Sequence, residues 1–262
     1  ARASGQVGVC VITSGAGVTN AITGIETAHL DSIPMVVLVA ESTALANDAC
    51  DHDHFDSDRC DTLGLTRSCV KHSLALTNAD LLEATLKKAF FLARTGRPGP
   101  VLVELAGAVL NEARPRPFDY AAEVTIRAYR TSWPAAHGQL RTAVDAIRSA
   151  ERPLIYYGGG IVLGEAHAQL RELAALTGAP VTGTLMGLGG FDATHPQSLG
   201  MLGMHGLYEA NMAMQHCDVL IAIGARFDDR VIGDPADFAK PRRRIVHIDI
   251  DPTSISKRVA VD

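Results

Sequence analysis

Small residues and charges follow several apolar runs in the second half of this chain. Gly158-Gly159-Gly160 follows one run, Gly224-Ala225-Arg226 ends a second, and Asp249 comes near the end of a third. In an open parallel sheet, glycine turns let backbone amides approach a phosphate, an arginine pairs with it, and a carboxylate accepts hydrogen bonds from ribose hydroxyls. The combination predicts a dinucleotide site.

Each of these features also has an ordinary structural explanation. The glycine triplet does not have the G-x-G-x-x-G spacing, and glycines at strand ends are often plain turns. The charged segment 226–230 could be a solvated salt-bridge turn. Asp249 could simply begin a turn before Pro252. The three features together favour a ligand site over three separate turns.

The elements that would carry these residues alternate between strands and helices. Apolar runs predict strands at 7–12, 34–40 and 100–105, and again at 153–157, 179–182, 219–224 and 245–250. Helical periodicity predicts helices from residue 20, over 81–93, over about 165–176 and over 207–216. This alternation favours an α/β fold with two doubly wound parallel sheets.

Composition narrows the class of protein. The 262 residues carry a formal net charge of −5 and five scattered cysteines. The charge leaves no basic face for nucleic acid, and an odd number of cysteines fits reduced thiols better than a disulfide framework. No apolar run is long enough to span a membrane. The chain begins without Met, in residues 1–5 that resemble a helix end with a glycine stop, so we expect a fragment.

Short stretches along almost the whole chain match one enzyme family. The matching stretches are 1–5, 13–24, 31–34, 70–73, 96–100, 184–189, 199–206, 226–230 and 247–252. In these stretches the chain resembles the large, catalytic subunit of acetohydroxyacid synthase, also called acetolactate synthase, a thiamine-diphosphate-dependent enzyme. Residues 39 to about 60 fall outside the resemblance.

The resemblance implies a domain organisation and a flavin site. Residues 1–112 would be an N-terminally truncated pyrimidine-binding domain, 113–134 a linker, and 135–262 a C-terminally truncated, Rossmann-like central domain that binds FAD. The third domain of the family would be absent. The residues implied to contact FAD are Arg97, Gly158, Gly159, Gly160, Thr184, Leu185, Met186, Leu202, Gly203, Met204, His205, Gly224, Ala225, Arg226, Asp228, Arg230, Asp249 and Ile250.

A reaction is implied as well. Enzymes of this family decarboxylate pyruvate on thiamine diphosphate and add the two-carbon unit to a second 2-oxo acid. The products are acetolactate or acetohydroxybutyrate, precursors of valine, leucine and isoleucine. Arg230 would pair with the carboxylate of the second substrate, a contact that suits a guanidinium, and Lys71 and Met204 would line the entrance.

Other parts of such an enzyme would lie elsewhere. The glutamate that activates thiamine and the ligands of Mg²⁺ fall outside the matching stretches, so the 262 residues alone are expected to be inactive. The resemblance implies a homodimer or homotetramer and a regulatory small subunit as a further partner. It implies the cytoplasm in a bacterium and an organelle in a eukaryote.

Three stretches depart from the family pattern. Ala16 stands where the family usually has Pro, and Glu41-Ser42-Thr43 replaces Gln-Val-Pro. The loop 47–59 is longer than expected and has Ser57-Asp58-Arg59 in place of Phe-Gln-Glu. Either substrate choice has changed or this stretch is damaged.

Residue types that bind metals are crowded into the same loop, at Cys50, His52, His54, Asp56 and Cys60. Their spacing matches no structural zinc site, so a solvated acidic loop is favoured and no metal ligand is predicted. Cys10 and Cys217 lie among apolar residues and are expected in the core rather than in catalysis.

Two other functions remain open. A different thiamine-diphosphate decarboxylase, lyase or oxidase would share the domains, although it should lose the 226–230 and Met204-His205 pattern, which is intact here. A nucleotide-binding remnant without catalytic activity is the alternative outside enzymology. The absent glutamate and the unusual loop motivate it.

Overall fold

The structure, a computed structural model, describes residues 1–41, 61–111, 124–131, 133–239 and 243–262. The chain divides into two compact units, 1–131 and 132–262. Each unit is built around its own parallel sheet. This confirms the predicted α/β fold with two parallel sheets.

Unit 1 has a sheet with the strand order β1-β2-β4-β3, in which all neighbours are parallel. Its strands are β1 (Gly8–Thr13), β2 (Met35–Ala40), β3 (His72–Leu76) and β4 (Pro100–Leu105). Its described helices are α1 (Ala16–Leu30), α2 (Thr62–Thr66), α3 (Leu82–Arg94) and α4 (Gly107–Leu110).

Helices cover both faces of this sheet. Because successive strand residues point to opposite faces, Val101 and Leu102 of β4 enter two different apolar clusters. Ala89 of α3 belongs to the first cluster and Ile25 of α1 to the second, and all four side chains are almost completely buried. Burial on both faces explains why every residue of β4 except Glu104 is apolar.

Unit 2 has the strand order β7-β6-β5-β8-β9, again parallel throughout. Its strands are β5 (Pro153–Tyr157), β6 (Val181–Gly183), β7 (Ser198–Met201), β8 (Val219–Ile223) and β9 (Arg244–Ile248). Its described helices are α5 (His137–Arg148), α6 (Gly159–Leu163), α7 (His167–Thr177), α8 (Tyr208–His216), α9 (Asp229–Ile232) and α10 (Pro235–Ala239).

The core of unit 2 also lies on both faces of its sheet. Leu220 and Ile221 of β8 are fully buried in two different clusters. Met214 of α8 completes the first cluster and Leu170 of α7 the second. The sheet is therefore doubly wound, which leaves its strand ends as the place where loops can form a site.

Some local predictions agree with the structure and others differ from it. Residues 1–5 agree with the predicted helix end, because the Gly5 N–H donates to the Ala1 carbonyl at 2.9 Å and Gly5 has a φ of 68°. Helix α1 begins at Ala16, earlier than the predicted residue 20. Since Ala16 is the first helical residue, where proline is also well tolerated, the exchange of Pro for Ala leaves this helix start intact. None of the helices in the described segments has the length and apolar character that crossing a bilayer requires.

Candidate functional site

The centre of the candidate site is the point where the strand order of unit 2 reverses. From β5 the chain proceeds outward to β6 and β7, and then returns to place β8 and β9 on the other side of β5. In such sheets the crevice beyond the carboxyl ends of the two central strands is the usual ligand site. Gly158 follows β5 and Gly224 follows β8, so two predicted residues stand at this crevice.

The glycines at the crevice are required by close contact between two backbone segments. The Gly160 N–H donates to the Gly224 carbonyl at 3.0 Å. A Cβ on Gly158 would lie 2.3 Å from the Gly224 oxygen, and a Cβ on Gly160 would lie 2.6 Å from the Gly224 Cα. Gly224 itself has a φ of 55°, a conformation that side chains disfavour. Gly158 and Gly160 are therefore needed for the two backbone segments to pack against each other.

The turn after β6 adjoins the glycine triplet. The Thr184 N–H donates to the Tyr157 carbonyl at 2.9 Å, and Thr184 Oγ1 accepts from the Gly187 N–H at 3.0 Å. A Cβ on Gly159 would lie 3.3 Å from Met186. Leu185 is 68% exposed at the same turn.

The turn after β7 packs against the charged loop after β8. The Met204 N–H donates to the Arg230 carbonyl at 2.8 Å, and Gly203, at a φ of 100°, approaches the same oxygen. Asn211 of α8 holds this turn by accepting from the Gly203 N–H and donating to the Gly203 carbonyl. Leu202 is buried, whereas Met204 is 72% exposed and His205 is also exposed. Sequence reasoning missed Asn211 because an ordinary helical asparagine carries no visible signal.

The charged loop itself begins helix α9. The Asp228 carboxylate accepts from the Arg230 N–H at 3.1 Å and so caps the helix. Arg226 and Arg230 have exposed side chains. Asp229 lies 4.0 Å from Arg258, and both side chains are more than half exposed, so this ion pair adds little stability. Asp228 thus has a structural role, while the two arginines present their charge to solvent.

Two buried polar side chains that the sequence analysis missed support this loop. The Tyr156 hydroxyl donates to the Arg226 carbonyl at 3.0 Å, and His247 Nε2 lies 2.9 Å from the Ala225 carbonyl. Burial raises the pKa of Tyr156, the negative charge of Asp228 raises it further, and Arg226 opposes the shift. The hydroxyl therefore keeps its proton and remains a donor. The only signal in the sequence was a polar group within an apolar strand.

Asp249 follows β9 and reaches the same edge. Its Oδ1 accepts from the Asp251 N–H at 2.8 Å, and its Oδ2 lies 3.8 Å from His247 Nε2. The turn at Pro252 is capped by Asp251, whose carboxylate accepts from the Thr253 N–H at 3.0 Å. Ile250 is 48% exposed beside them. Asp249 therefore begins a turn before Pro252, as its structural explanation predicts, and Asp251 caps the next turn.

All the residues of unit 2 implied to contact FAD thus follow the five strands at one edge of the sheet. Direct contacts join neighbouring segments, from Gly159 and Met186 to Gly160 and Gly224, and from Met204 to Arg230. The edge combines exposed apolar side chains with exposed guanidinium groups. Such a surface suits a ligand that has both flat rings and phosphates.

The two predicted residues of unit 1 bind carbonyls within their own unit. Lys71 Nζ donates to the Leu92 and Thr95 carbonyls near the end of α3, and to Tyr129 Oη at 2.9 Å. Arg97 Nε donates to Ser32 Oγ at 2.9 Å, and its guanidinium lies 3.5 Å from the His29 carbonyl at the end of α1. Cations are favourable at helix C-termini. Both residues have a structural role, and their predicted contacts with substrate and FAD stay predictions.

Of the unusual stretch at residues 41–60 in unit 1, the structure describes only Glu41. Glu41 Oε2 accepts from the Gly107 N–H at 2.9 Å at the start of α4. Residues 42–60, including the candidate metal ligands and Ser57-Asp58-Arg59, lie outside the described residues. In the parts of the chain that are described, no group of three or more His, Cys, Asp or Glu is arranged to hold a metal ion.

A depression of about 610 Å³ lies at the opposite edge of the unit 2 sheet. Its lining includes Pro153, Pro180 and Cys217, at the amino ends of β5, β6 and β8. Burial raises the pKa of the Cys217 thiol, which donates to the Met214 carbonyl at 3.3 Å. Cys217 is a core residue as expected, and this depression is separate from the candidate site.

Comparison with known families gives a match in each of the two units. Residues 1–64 match the thiamine pyrophosphate enzyme N-terminal TPP binding domain, and residues 140–262 match the thiamine pyrophosphate enzyme central domain. The chain belongs to the thiamine pyrophosphate enzymes.

Within that class the chain is similar over its whole length to acetolactate synthase large subunits. It is 47% identical to the acetolactate synthase isozyme 3 large subunit of Escherichia coli and 44% identical to the acetolactate synthase large subunit of Haemophilus influenzae. It is 43% identical to the probable acetolactate synthase large subunit of Methanocaldococcus jannaschii. The alignments cover 100% of this chain but 44% to 45% of the relatives, so the chain spans less than half their length. The resemblance seen in the sequence is confirmed.

Proposed function

We propose that these residues are the pyrimidine-binding and central regions of an acetolactate synthase large subunit, and that the strand-end edge of unit 2 binds FAD. The observation that carries the FAD site is the reversal of strand order at Gly158 and Gly224, with the other predicted segments in contact around it. Residues 1–112 would serve as the pyrimidine-binding domain, 113–134 as the linker and 135–262 as the FAD domain.

The side chains at this edge fit the chemistry of FAD. The exposed Arg226 guanidinium can pair with the pyrophosphate, and the Asp249 carboxylate can accept from a ribose hydroxyl. Leu185, Met204 and Ile250 offer exposed apolar surface to the ring systems. When bound, the flavin would complete the architecture of the site without taking part in electron flow.

The reaction would be the decarboxylation of pyruvate on thiamine diphosphate and transfer of the two-carbon unit to a second 2-oxo acid. Arg230, whose backbone is held by Met204 and Asp228, would bind the carboxylate of the second substrate. Lys71 and Met204 would line the entrance. Thiamine diphosphate and Mg²⁺ would be held mainly by residues other than these.

The assembly would be a homo-oligomer with a regulatory small subunit, in the bacterial cytoplasm or in a eukaryotic organelle. Sedimentation of the complete gene product, alone and with a candidate small subunit, tests the assembly. A monomer at micromolar concentration in the presence of both cofactors would contradict it.

Flavin binding is tested by titrating the complete gene product with FAD and following flavin fluorescence. We expect saturable binding, weakened about tenfold or more in Arg226→Ala because a charge-assisted bond to phosphate is lost. Arg148→Ala is the matched control, since Arg148 is exposed at the end of α5 and lines the depression at the opposite edge of the sheet. Equal affinity in both variants would refute the assignment of Arg226.

Activity is tested on the same protein with pyruvate, thiamine diphosphate, Mg²⁺ and FAD. Acetolactate is the expected product. Decarboxylation to acetaldehyde without acetolactate would instead support a different thiamine-diphosphate enzyme, and no turnover despite FAD binding would support a nucleotide-binding remnant.

A further inference from the structure

The loop that carries Arg226 is held from within the protein by side chains of two strands. Loop residues 224–228 follow β8, whose neighbours in the sheet are β5 and β9. Tyr156 of β5 donates to the Arg226 carbonyl at 3.0 Å, and His247 Nε2 of β9 lies 2.9 Å from the Ala225 carbonyl. Two consecutive carbonyls of the loop are therefore bound from opposite sides.

Neither donor has access to solvent. Tyr156 is fully buried, and the His247 side chain has no exposed surface. Phe227 lies between them, with ring centroids 5.7 Å from Tyr156 and 5.3 Å from His247. Because these donors bind the two carbonyls in the structure, removing a donor deprives a carbonyl of that hydrogen bond.

The two ring nitrogens of His247 differ in their hydrogen bonds. Nε2 faces a carbonyl, so it carries the ring proton. Nδ1 of the same ring is buried and has no hydrogen-bond partner among the described residues. An apolar side chain would avoid leaving Nδ1 unpaired, which indicates that the bond from Nε2 is the reason for a histidine here. Nε2 also lies 3.8 Å from Asp249 Oδ2, which is too far for a hydrogen bond.

We propose that Tyr156 and His247 are positioning residues of the flavin site, which fix the 225–226 backbone so that the Arg226 guanidinium faces the pyrophosphate. This inference rests on the proposed FAD site. It adds two residues that touch no ligand themselves and act through Arg226.

The test compares FAD affinity in the complete gene product and its variants, together with the melting temperature of each. Tyr156→Phe keeps the ring and removes only the hydroxyl, and we expect FAD binding about fivefold weaker. His247→Leu should weaken it by about the same factor, and His247→Gln, which restores an N–H donor, should recover most of the loss. Tyr157→Phe is the matched control on the same strand, because the Tyr157 hydroxyl bonds to the Phe191 backbone instead.

A second readout separates positioning from stability. Tyr156→Phe in the Arg226→Ala background should change FAD affinity less than twofold, since the guanidinium through which it acts is absent. The visible circular dichroism of bound FAD should change in Tyr156→Phe and not in Tyr157→Phe.

Two results would overturn the proposal. If Tyr156→Phe and His247→Leu lower the melting temperature but leave FAD affinity within twofold of wild type, the two residues only stabilise the fold. If the folded wild-type protein does not bind FAD, the proposed flavin site fails and this inference fails with it. His247→Leu could unfold the protein, and Tyr156→Phe then decides, because its ring packing is unchanged.

Discussion

The cations predicted to act in the two units differ in what they contact. In unit 1, Lys71 and Arg97 are half-buried and donate to carbonyls or a hydroxyl near the ends of α3 and α1. In unit 2, the side chains of Arg226 and Arg230 are exposed, while backbone groups of the same two residues bond to Tyr156 and Met204.

This difference separates cations whose side chains stabilise the fold from cations whose backbone is fixed by the fold and whose side chains are exposed. A cation whose donors are already used stabilises its own unit, and its removal should cost stability first. A cation whose backbone is fixed and whose side chain is exposed is available to bind a ligand or substrate. Substitutions can therefore test whether the two pairs behave differently.

The largest expected effect is at the crevice between Gly158 and Gly224 in unit 2. Gly158→Ala would place a Cβ 2.3 Å from the Gly224 carbonyl oxygen, and the contact is between two backbones with little freedom to move. We expect a loss of about 3 kcal/mol in the free energy of unfolding, and loss of FAD binding. Urea denaturation measures the free energy of unfolding.

Gly138→Ala is the control for this substitution. Gly138 lies near the start of α5, and an added Cβ there would meet no atom within 4 Å. It should stabilise the protein by about 0.5 kcal/mol, because alanine favours helix. Equal stability of Gly158→Ala and wild type would mean that the crevice is wider than the structure has it.

Lys71 offers the next effect in size. Lys71→Met removes a charged donor from the Leu92 and Thr95 carbonyls and from Tyr129. We expect a loss of about 2 kcal/mol in the free energy of unfolding. Lys88→Met, on the exposed side of α3, should change it by less than about 0.5 kcal/mol. If Lys71→Met abolishes activity while stability is unchanged, Lys71 belongs with the functional cations and the comparison between the units breaks.

A matched pair of arginine substitutions sharpens the same contrast. Arg97→Ala loses the bond to Ser32 Oγ and should cost about 1 kcal/mol of stability. Arg230→Ala removes an exposed side chain and should cost less than about 0.5 kcal/mol while raising the KM for the second 2-oxo acid. Thermal melts and steady-state kinetics measure both. Larger destabilisation by Arg230→Ala than by Arg97→Ala would reverse the assignment.

The strands could be predicted from sequence where burial on both faces makes most of their residues apolar. Pro100–Leu105 and Pro153–Tyr157 have the predicted bounds. His72–Leu76 and Ser198–Met201 were missed because polar residues or glycine interrupt these short strands. The edge strands β1 and β9 do have an apolar run and were predicted from it.

The candidate site was predictable where a residue type carries its own chemistry. Glycines and charges at strand ends are visible in the sequence, and Gly158, Gly224 and Asp249 were identified in this way. Tyr156 and His247 were not, because their bonds depend on β5 and β9 flanking β8. Which strands are neighbours is a property of the tertiary fold, so donors that act across strands stay hidden until the fold is known.

The smallest expected effect concerns the amino edge of the unit 2 sheet, opposite the site. The Asp218 carboxylate accepts from the Glu151 and Arg152 N–H groups at 2.8 and 2.9 Å and so joins the starts of β5 and β8. Burial acts to raise the pKa of Asp218, but these backbone bonds outweigh it and hold the pKa below its ordinary value of 3.8.

The sign of the pH dependence follows from that lowered pKa. A carboxyl group with a lower pKa in the folded state stabilises the protein above its unfolded pKa, and this contribution is lost as the pH falls through the folded pKa. The window is therefore below about pH 3.8. Asp218→Asn should reduce the fall in stability between pH 6 and pH 3 while leaving FAD affinity at pH 7 unchanged. Altered FAD affinity in this variant would mean that the two edges of the sheet are coupled, and that the charged loop is not held by its local bonds alone.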